Sequence, residues 1–234
     1  FEMSKKRQKI YFGIFWVILV TSFLFFATLL ILVANGYHVN TKNLKLEKIG
    51  MIVLNGSPDN LLITVNNKPR NGNLPYKLYN LFPGRYEIKI EKENYQSWEN
   101  VYQLNGGQAI VEDGIYLFFS EENILKKDED VSLIEKVQKE FGKQNNNIDI
   151  VSSELVYQSE LITRFSSSIK AAIKDPRTGY FIVQIDNEIV AINPEGKNQV
   201  KLITLGNSEP SSFYMNGNTL FYLDSGKVLS AQIR

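Results

Sequence analysis

The apolar positions of this chain form one long uninterrupted run and many short ones. The long run extends from Ile10 to Ala34 and contains no charged residue. At about 1.5 Å per helical residue it can cross a hydrocarbon core about 30 Å thick. Basic residues cluster between Lys5 and Lys9, on one side of the run only, and such clusters stay in the cytoplasm. We therefore expect a cytoplasmic tail at residues 1–9, a transmembrane helix at 10–35, and a cell-membrane protein whose remaining residues are extracytoplasmic.

The alternative interpretation of this run is a cleaved signal peptide. Such peptides have apolar cores of about 7–15 residues and a cleavage site with small residues. Here the run is longer, and the candidate cleavage site Leu32-Val33-Ala34 has the bulky Leu32 at a position that needs a small side chain. An uncleaved signal anchor is the prediction that fits better. Phe1 and Glu2 precede Met3, which makes Met3 a candidate for the natural start.

Short runs of β-forming residues begin after a polar spacer at residues 36–48. Between residues 49 and 118 they recur with turn residues at intervals typical of all-β domains. The clearest strand is Arg85 to Glu91, where apolar and charged side chains alternate and predict one buried and one solvated face. The other expected strands are Gly50–Leu54, Leu61–Val65, Val101–Leu104 and Ala109–Leu117.

The motifs of this region resemble those of the PEGA domain family. In order along the chain they are Ser57-Pro58, Leu74-Pro75, Leu81-Phe82-Pro83-Gly84-Arg85-Tyr86 and Asn94-Tyr95-Gln96-Ser97-Trp98. Two departures are Pro58-Asp59-Asn60-Leu61 in place of the tetrapeptide that names the family, and Asn94 where glycine usually stands. The resemblance implies a small extracytoplasmic β-sandwich-like module of bacterial and archaeal surface proteins at residues 49–118. It implies no catalytic residue.

Two features of this motif have a physical interpretation. Pro83-Gly84 predicts a type II turn with positive φ at Gly84. Tyr95 and Trp98 are expected to cap one end of the small β-core, and the functional alternative is a pair that stacks on carbohydrate.

A charged linker and an amphipathic helix are expected at residues 119–147. Ser132-Leu133-Ile134-Glu135 has the pattern of a capping box. A narrow apolar stripe that includes Val137 and Phe141 predicts a helix resting on a domain, and Gly142 suits its C-terminal stop. Asp128-Glu129-Asp130 could attract a divalent cation, but its spacing is not that of a calcium loop, and we predict no metal site.

Residues 148–234 return to short strands and sharp turns. The expected strands are Glu154–Gln158, Leu161–Phe165, Ile169–Lys174, Tyr180–Ile185, Ile189–Ile192, Val200–Leu205, Ser212–Met215, Thr219–Leu223 and Val228–Ile233. Asp175 to Ile192 and Asn216 to Ile233 repeat a similar pattern at the spacing of β-propeller blades. The segment resembles the propeller that follows a membrane anchor and PEGA module in some bacterial surface proteins, particularly those of the candidate phyla radiation. Two blades cannot close a ring, so we expect docking on the amphipathic helix and the neighbouring module, with self-association or capture of a partner strand as alternatives.

Composition excludes several function classes. With 26 basic and 25 acidic residues, the chain lacks the basic surface that nucleic-acid binding needs,. It has no cysteine, which excludes disulfides, thiolate metal sites and cysteine nucleophiles,. His38 is the only histidine and lies next to the predicted membrane helix, so a Ser-His-Asp triad elsewhere is excluded.

Two functions remain. The first is a membrane-anchored binding or scaffold protein of the cell envelope, with the lipid bilayer and envelope proteins or glycans as partners, a possible homo-oligomeric state and no cofactor. Its candidate binding residues are Tyr95, Trp98, Tyr180 and Tyr222. The alternative is a glycan-processing enzyme that uses paired carboxylates, drawn from Asp149, Glu154, Glu160, Asp186 and Glu188,. We expect no enzymatic activity, because these acids flank turns. Exposed aromatic residues on the outer module would favour binding, and a featureless charged surface would favour a scaffold.

Overall fold

The computed structural model describes residues 5–41, 43–128 and 130–234. Met3 and the start of the predicted cytoplasmic tail lie outside the described residues, as does Glu129 of the acidic run. The described chain is mainly β, with an N-terminal apolar helix and several antiparallel sheets, which confirms the expected fold class at this level.

The chain forms two compact units that both draw on discontinuous segments. Unit 1 takes the described part of Phe1–Val53 together with Lys77–Arg85 and Gln103–Val111. Unit 2 consists of Leu54–Tyr76, Tyr86–Tyr102 and Glu112–Arg234. The region of the predicted PEGA-like domain is therefore shared between the two units.

Unit 1 begins with helix α1, Lys5–Ala34. Its segment Ile10–Ala34 is long and apolar enough to span a membrane, and none of it is buried against protein. The predicted spacer is not an irregular segment. It forms a β-hairpin of strands β1, Tyr37–Asn40, and β2, Lys45–Lys48, in which Val39 lies opposite Leu46.

Seven strands follow between residues 50 and 116. They are β3 Gly50–Ser57, β4 Leu61–Val65, β5 Lys68–Gly72, β6 Tyr76–Leu81, β7 Gly84–Glu91, β8 Trp98–Leu104 and β9 Ala109–Tyr116. Their order is β5-β4-β7-β8 in one sheet and β6-β3-β9 in another. Strands β5 and β6 were not expected from the sequence, and only the β5 segment is polar throughout. The alternation in β7 is confirmed, with Ile88 and Ile90 buried and Arg85 and Glu87 exposed.

The turn before β7 differs from the expected type II geometry. Gly84 has a φ of +157° and is already the first residue of the strand. A type II turn would place this residue at a φ of about +80°. A turn with left-handed backbone occurs in the β4–β5 hairpin, where Asn66 and Asn67 have φ values of 46° and 63°.

The predicted charged linker contains strand β10, Asn123–Asp128, which pairs antiparallel with the last strand of the chain. Helix α2 follows at Val131–Gln144. Two predictions about its ends were wrong. The N-cap is Asp130, whose carboxylate accepts from the Ser132 N–H at 2.9 Å. Asp130 lies directly before the first helical residue, so its carboxylate, and not the Ser132 hydroxyl, bonds a free N–H group of the first turn. The helix also continues through Gly142 to an Asn145 C-cap.

Ten strands complete unit 2. They are β11 Ile148–Val151, β12 Glu154–Tyr157, β13 Glu160–Arg164, β14 Ile169–Lys174, β15 Phe181–Ile185, β16 Glu188–Ile192, β17 Val200–Thr204, β18 Phe213–Asn216, β19 Thr219–Asp224 and β20 Lys227–Gln232. They form the sheets β11-β12-β13, β14-β15-β16-β17 and β10-β20-β19-β18. The nine predicted strands of this region are present, with end points that differ by at most one residue.

The two four-stranded sheets share one core. Residues of β14 to β17 and of β18 to β20 contribute buried apolar side chains to a single cluster, which includes Ile182, Ile203, Phe213 and Tyr222. The opposite face of β18–β20 packs on α2, where Val137 is 1% exposed and contacts the cluster containing Tyr214 and Val228. The expected docking of the C-terminal sheet on α2 is confirmed.

Candidate functional site

A short segment after β9 connects the preceding strands of unit 2 to the C-terminal sheets. Phe118 is 1% exposed and belongs to the shared core, with its ring centroid 5.4 Å from that of Tyr180. The Gln96 side chain donates to the carbonyl oxygens of Phe119 at 3.1 Å and Lys201 at 2.6 Å. We call this junction the seam. It holds two neighbouring cavities.

The first, which we call the arginine cavity, has a volume of about 230 Å³. Its lining includes two aromatic rings, two guanidinium groups, a hydroxyl and an amide, from Tyr95, Tyr116, Arg177, Arg234, Thr178 and Asn218. Arg177 is exposed and forms no ion pair among the described residues. The cavity therefore offers one uncompensated positive charge beside aromatic surface, which suits a carboxylate or a hydroxyl-rich group.

The second guanidinium of this cavity is part of a buried ion pair. Arg234 Nη2 lies 2.7 Å from Asp175 Oδ2, and the two side chains are 7% and 1% exposed. Arg234 also donates to the Gly217 carbonyl at 2.9 Å and to Asn218 Oδ1 at 3.2 Å. Asp175 accepts further bonds from the Thr178 hydroxyl and the Arg177 N–H. Because Asp175 neutralises the charge of Arg234, this guanidinium forms part of the cavity wall but adds little net positive charge to the cavity.

The second cavity, the tryptophan cavity, has a volume of about 340 Å³ and shares Tyr116 with the first. Trp98 and Tyr180 line it from opposite sides of the seam. With the Asn198 amide oriented to satisfy both neighbours, its oxygen accepts from Trp98 Nε1 at 3.0 Å and its nitrogen donates to the Glu99 carbonyl at 2.9 Å,. The indole is thus held by a specific polar contact.

The four predicted binding residues are placed differently from one another. Trp98, Tyr180 and Tyr222 are 4%, 1% and 2% exposed. Burial raises the pKa of both tyrosines to about 12. Their ring faces are covered by protein, so they pack and do not present stacking surfaces. Tyr95 is half-buried and lines the arginine cavity, and its ring contacts that of Phe119 with centroids 4.7 Å apart and a tilt of 36°.

Other aromatic residues in the strands of the C-terminal segment are also covered. Phe213 and Tyr214 are 0% and 5% exposed. Tyr157 is half-buried, with Lys174 Nζ 3.8 Å from its ring centroid. Phe213 and Tyr214 therefore have no exposed ring face for ligand stacking.

The acidic residues that could have formed a catalytic pair are not brought together at either cavity. Glu154 pairs with Arg164 at 2.6 Å, and Glu188 pairs with Lys201 at 3.0 Å. Asp149, Glu160 and Asp186 are exposed. Among the described residues, no group of three or more His, Asp or Glu side chains has the geometry of a metal site.

A different carboxylate has a perturbed environment. Glu112 on β9 accepts a 2.7 Å bond from the Tyr102 hydroxyl on β8. Burial is the main cause that raises the pKa of Glu112, and burial followed by the bond to Glu112 raises the pKa of Tyr102. This pair was not predicted from the sequence. The two segments were expected to be strands, but no motif linked Tyr102 with Glu112.

Arg177 and Arg234 were likewise missed. Arg177 lies in the Asp175-Pro176-Arg177-Thr178-Gly179 turn, and Arg234 follows β20. Each is an isolated basic residue in a chain of nearly balanced charge. Only the fold, which brings the Arg177 turn and the segment after β20 to the seam, identifies the two arginines as neighbours.

Comparison with known proteins leaves the family open. No protein-family model matches the chain, and no curated protein matches it significantly. The resemblance to PEGA domains therefore rests on the motifs and strands described above.

Proposed function

We propose that this chain is a single-pass membrane-anchored scaffold of the cell envelope, with a cytoplasmic N-terminus and its β-structure outside the cytoplasm. The observation that carries the proposal is the segment Ile10–Ala34, a helix of 25 residues with no part buried against protein. A fully exposed apolar helix of this length is stable only in a hydrocarbon environment. The basic residues before it supply the orientation.

A scaffold role is supported by the way the outer part is built. Three of the four candidate binding aromatics, Trp98, Tyr180 and Tyr222, are buried. The seam ties the PEGA-like strands of unit 2 to the C-terminal sheets through buried Phe118 and the Gln96 bonds. PEGA-like and blade-like modules behind an anchor would hold a partner at a set distance from the membrane.

Alkaline carbonate extraction of membranes from cells expressing the full chain tests the anchor. An integral protein stays in the pellet, and a peripheral one is released. The matched variants are Leu24→Arg, which places a charge near the centre of the apolar segment, and Leu62→Arg, which places the same charge on the surface of β4. We expect retention of the parent and of L62R and partial release of L24R, because a central arginine costs about 2.5–3.5 kcal/mol on insertion scales. Release of the parent would contradict the proposal.

A second candidate function is capture of an acidic glycan or a peptide carboxylate. It is favoured by Arg177, which lines the arginine cavity and forms no ion pair with a described residue. Titration of the detergent-solubilised chain with glucuronate, with glucose as the neutral control, tests it. Arg177→Gln should abolish glucuronate binding, and Arg70→Gln, an exposed arginine on β5 outside the cavity, should leave it unchanged. Equal binding by parent and R177Q would remove this candidate.

A further inference from the structure

The hairpin that follows α1 has two chemically different faces. Strand alternation and the β1–β2 register place Tyr37, Val39, Leu46 and Lys48 on one face,. The same register places His38, Asn40, Lys45 and Glu47 on the other. The first face carries aromatic, aliphatic and long basic side chains, and the second is polar throughout.

The polar face is organised by its own hydrogen bonds. Glu47 accepts from the Asn40 amide at 2.8 Å and from the Asn43 amide at 2.9 Å. These bonds hold the carboxylate charged and lower its pKa. The Glu47 oxygens of this face are therefore satisfied within the hairpin, whereas His38 Nδ1 is buried without a hydrogen-bond partner among the described residues.

The aliphatic part of the first face and the tip of the hairpin are left open by the protein, whereas Tyr37 is half-buried. Val39 is 58% exposed and Leu46, directly opposite, is 48% exposed. Leu44 at the tip is 82% exposed. Contiguous exposed apolar residues of this kind mark protein or membrane contact surfaces.

The position of the hairpin in the chain selects the bilayer as the occupant. Only Asn35 and Gly36 separate α1 from β1, so Tyr37 lies within about 11 Å of Ala34 along the chain. A 25-residue apolar helix is about 37 Å long and fills a hydrocarbon core about 30 Å thick, which puts Ala34 near its boundary. We propose that the face formed by Tyr37, Val39, Leu46 and Lys48, with Leu44 at the tip, lies in the headgroup region of the non-cytoplasmic leaflet.

The residue types match that location. Tyrosine favours the membrane interface, and lysine extends its ammonium group towards lipid phosphates while its stem stays in apolar surroundings. Valine and leucine reach the acyl boundary about 5–10 Å below the surface. The hairpin then fixes the height above the bilayer at which β3 begins, because only Ile49 separates β2 from β3. This inference rests on the proposed anchor.

The test uses the absence of cysteine in the natural sequence. Single cysteines replace Leu46, its neighbour Lys45 on the opposite face, and Ala27 within α1, and each carries an environment-sensitive NBD label. The full-length proteins are reconstituted into vesicles of phosphatidylcholine with a minority of phosphatidylglycerol. Quenching by nitroxide lipids reports membrane contact, and quenching by iodide reports water.

We expect the labels at positions 27 and 46 to have blue-shifted emission and to be quenched by nitroxide lipids, and the label at 45 to be quenched by iodide. If the label at 27 contacts lipid while those at 45 and 46 are equally accessible to iodide, the hairpin inference fails and the anchor stands. If the label at 27 is also accessible to iodide, the anchor fails and the inference fails with it.

Discussion

Arg234→Met should destabilise unit 2 strongly, because it leaves a buried carboxylate without its cation. The partner is Asp175, which is 1% exposed and 2.7 Å from Arg234 Nη2. Removing one partner of a buried pair costs about 3–5 kcal/mol, because a charge is left without compensation. Asp175 keeps its bonds from Thr178 and the Arg177 N–H, which places the expected cost near the lower end of this range.

The reverse substitution should cost less. In Asp175→Asn, Arg234 still donates to the Gly217 carbonyl and to Asn218 Oδ1. The double variant should therefore lose less stability than the sum of the two single variants, since neither charge is then left alone.

Thermal unfolding of the full chain in detergent, followed by circular dichroism, measures these costs. For a chain of this size about 1 kcal/mol corresponds to about 2–4 °C in Tm. A cost of about 3 kcal/mol should therefore make R234M melt about 6–12 °C below the parent. Arg177→Met is the matched control, because Arg177 is an exposed arginine of the same cavity and should stay within about 0.5 kcal/mol of the parent. An R234M variant that melts with the parent, or strict additivity in the double variant, would refute the role of the ion pair.

Three further outcomes are expected. Gly56→Ala should lower the free energy of unfolding by about 1–3 kcal/mol or more in the same assay, because the new Cβ would lie 1.9 Å from the Ile115 carbonyl oxygen. The control, Gly142→Ala in α2, places a Cβ with nothing within 4 Å and should not destabilise. Equal melting of the two variants would contradict the close approach at Gly56. Glu112→Gln should gain stability relative to the parent as pH rises above about 4.5. The reason is that a raised pKa of Glu112 in the folded parent means that the folded state binds the proton more tightly than the unfolded state, so the parent loses stability when this carboxyl ionises. A stability difference between variant and parent that stays constant between about pH 4 and pH 7 would argue against burial of that carboxyl. Gln144→Leu should lower the free energy of unfolding by about 1–3 kcal/mol, because the Gln144 side-chain amide bonds the carbonyl and the N–H of Met215 at 2.8 and 2.9 Å. An unchanged Tm would show that α2 docks by apolar contact alone.

The C-terminal strands were predictable because their pattern is strong. β14 to β20 carry runs of β-branched and aromatic residues between Asn, Asp and Gly turns, and the structure uses those turns. Ser225 and Gly226, for example, take the positive φ values of 51° and 77° that a tight hairpin needs,. Here local propensity and burial agree, so the sequence alone indicates the element.

Strands β5 and β10 were missed because their side chains give no apolar alternation, whereas β6 was missed although Tyr76 and Leu78 flank the polar Lys77. The segment Asn123–Asp128 contains two lysines and an aspartate, but it lies at the sheet edge, where backbone pairing with β20 forms the strand and charged side chains are tolerated,. The pairing partner lies at the C-terminal end of the described chain, so no local signal identifies it.

The candidate site was predicted only in part. Tyr95 and Trp98 were identified from their motif, but the pattern suits packing and ligand stacking equally. The polar contact between Trp98 and Asn198 that decides for packing joins distant segments. Arg177 became a candidate only once the fold placed it beside Tyr95 and Tyr116.

The most direct test of the membrane-anchored scaffold is the sidedness of the two ends of the chain. The natural sequence has no cysteine, so Ser4→Cys and Ser208→Cys each introduce one label site, on the basic segment and on an exposed loop of unit 2. A membrane-impermeant maleimide is applied to spheroplasts before and after permeabilisation. The proposed topology predicts that position 208 reacts in both conditions and position 4 only after permeabilisation. Reaction of position 4 and protection of position 208 in sealed spheroplasts would contradict it.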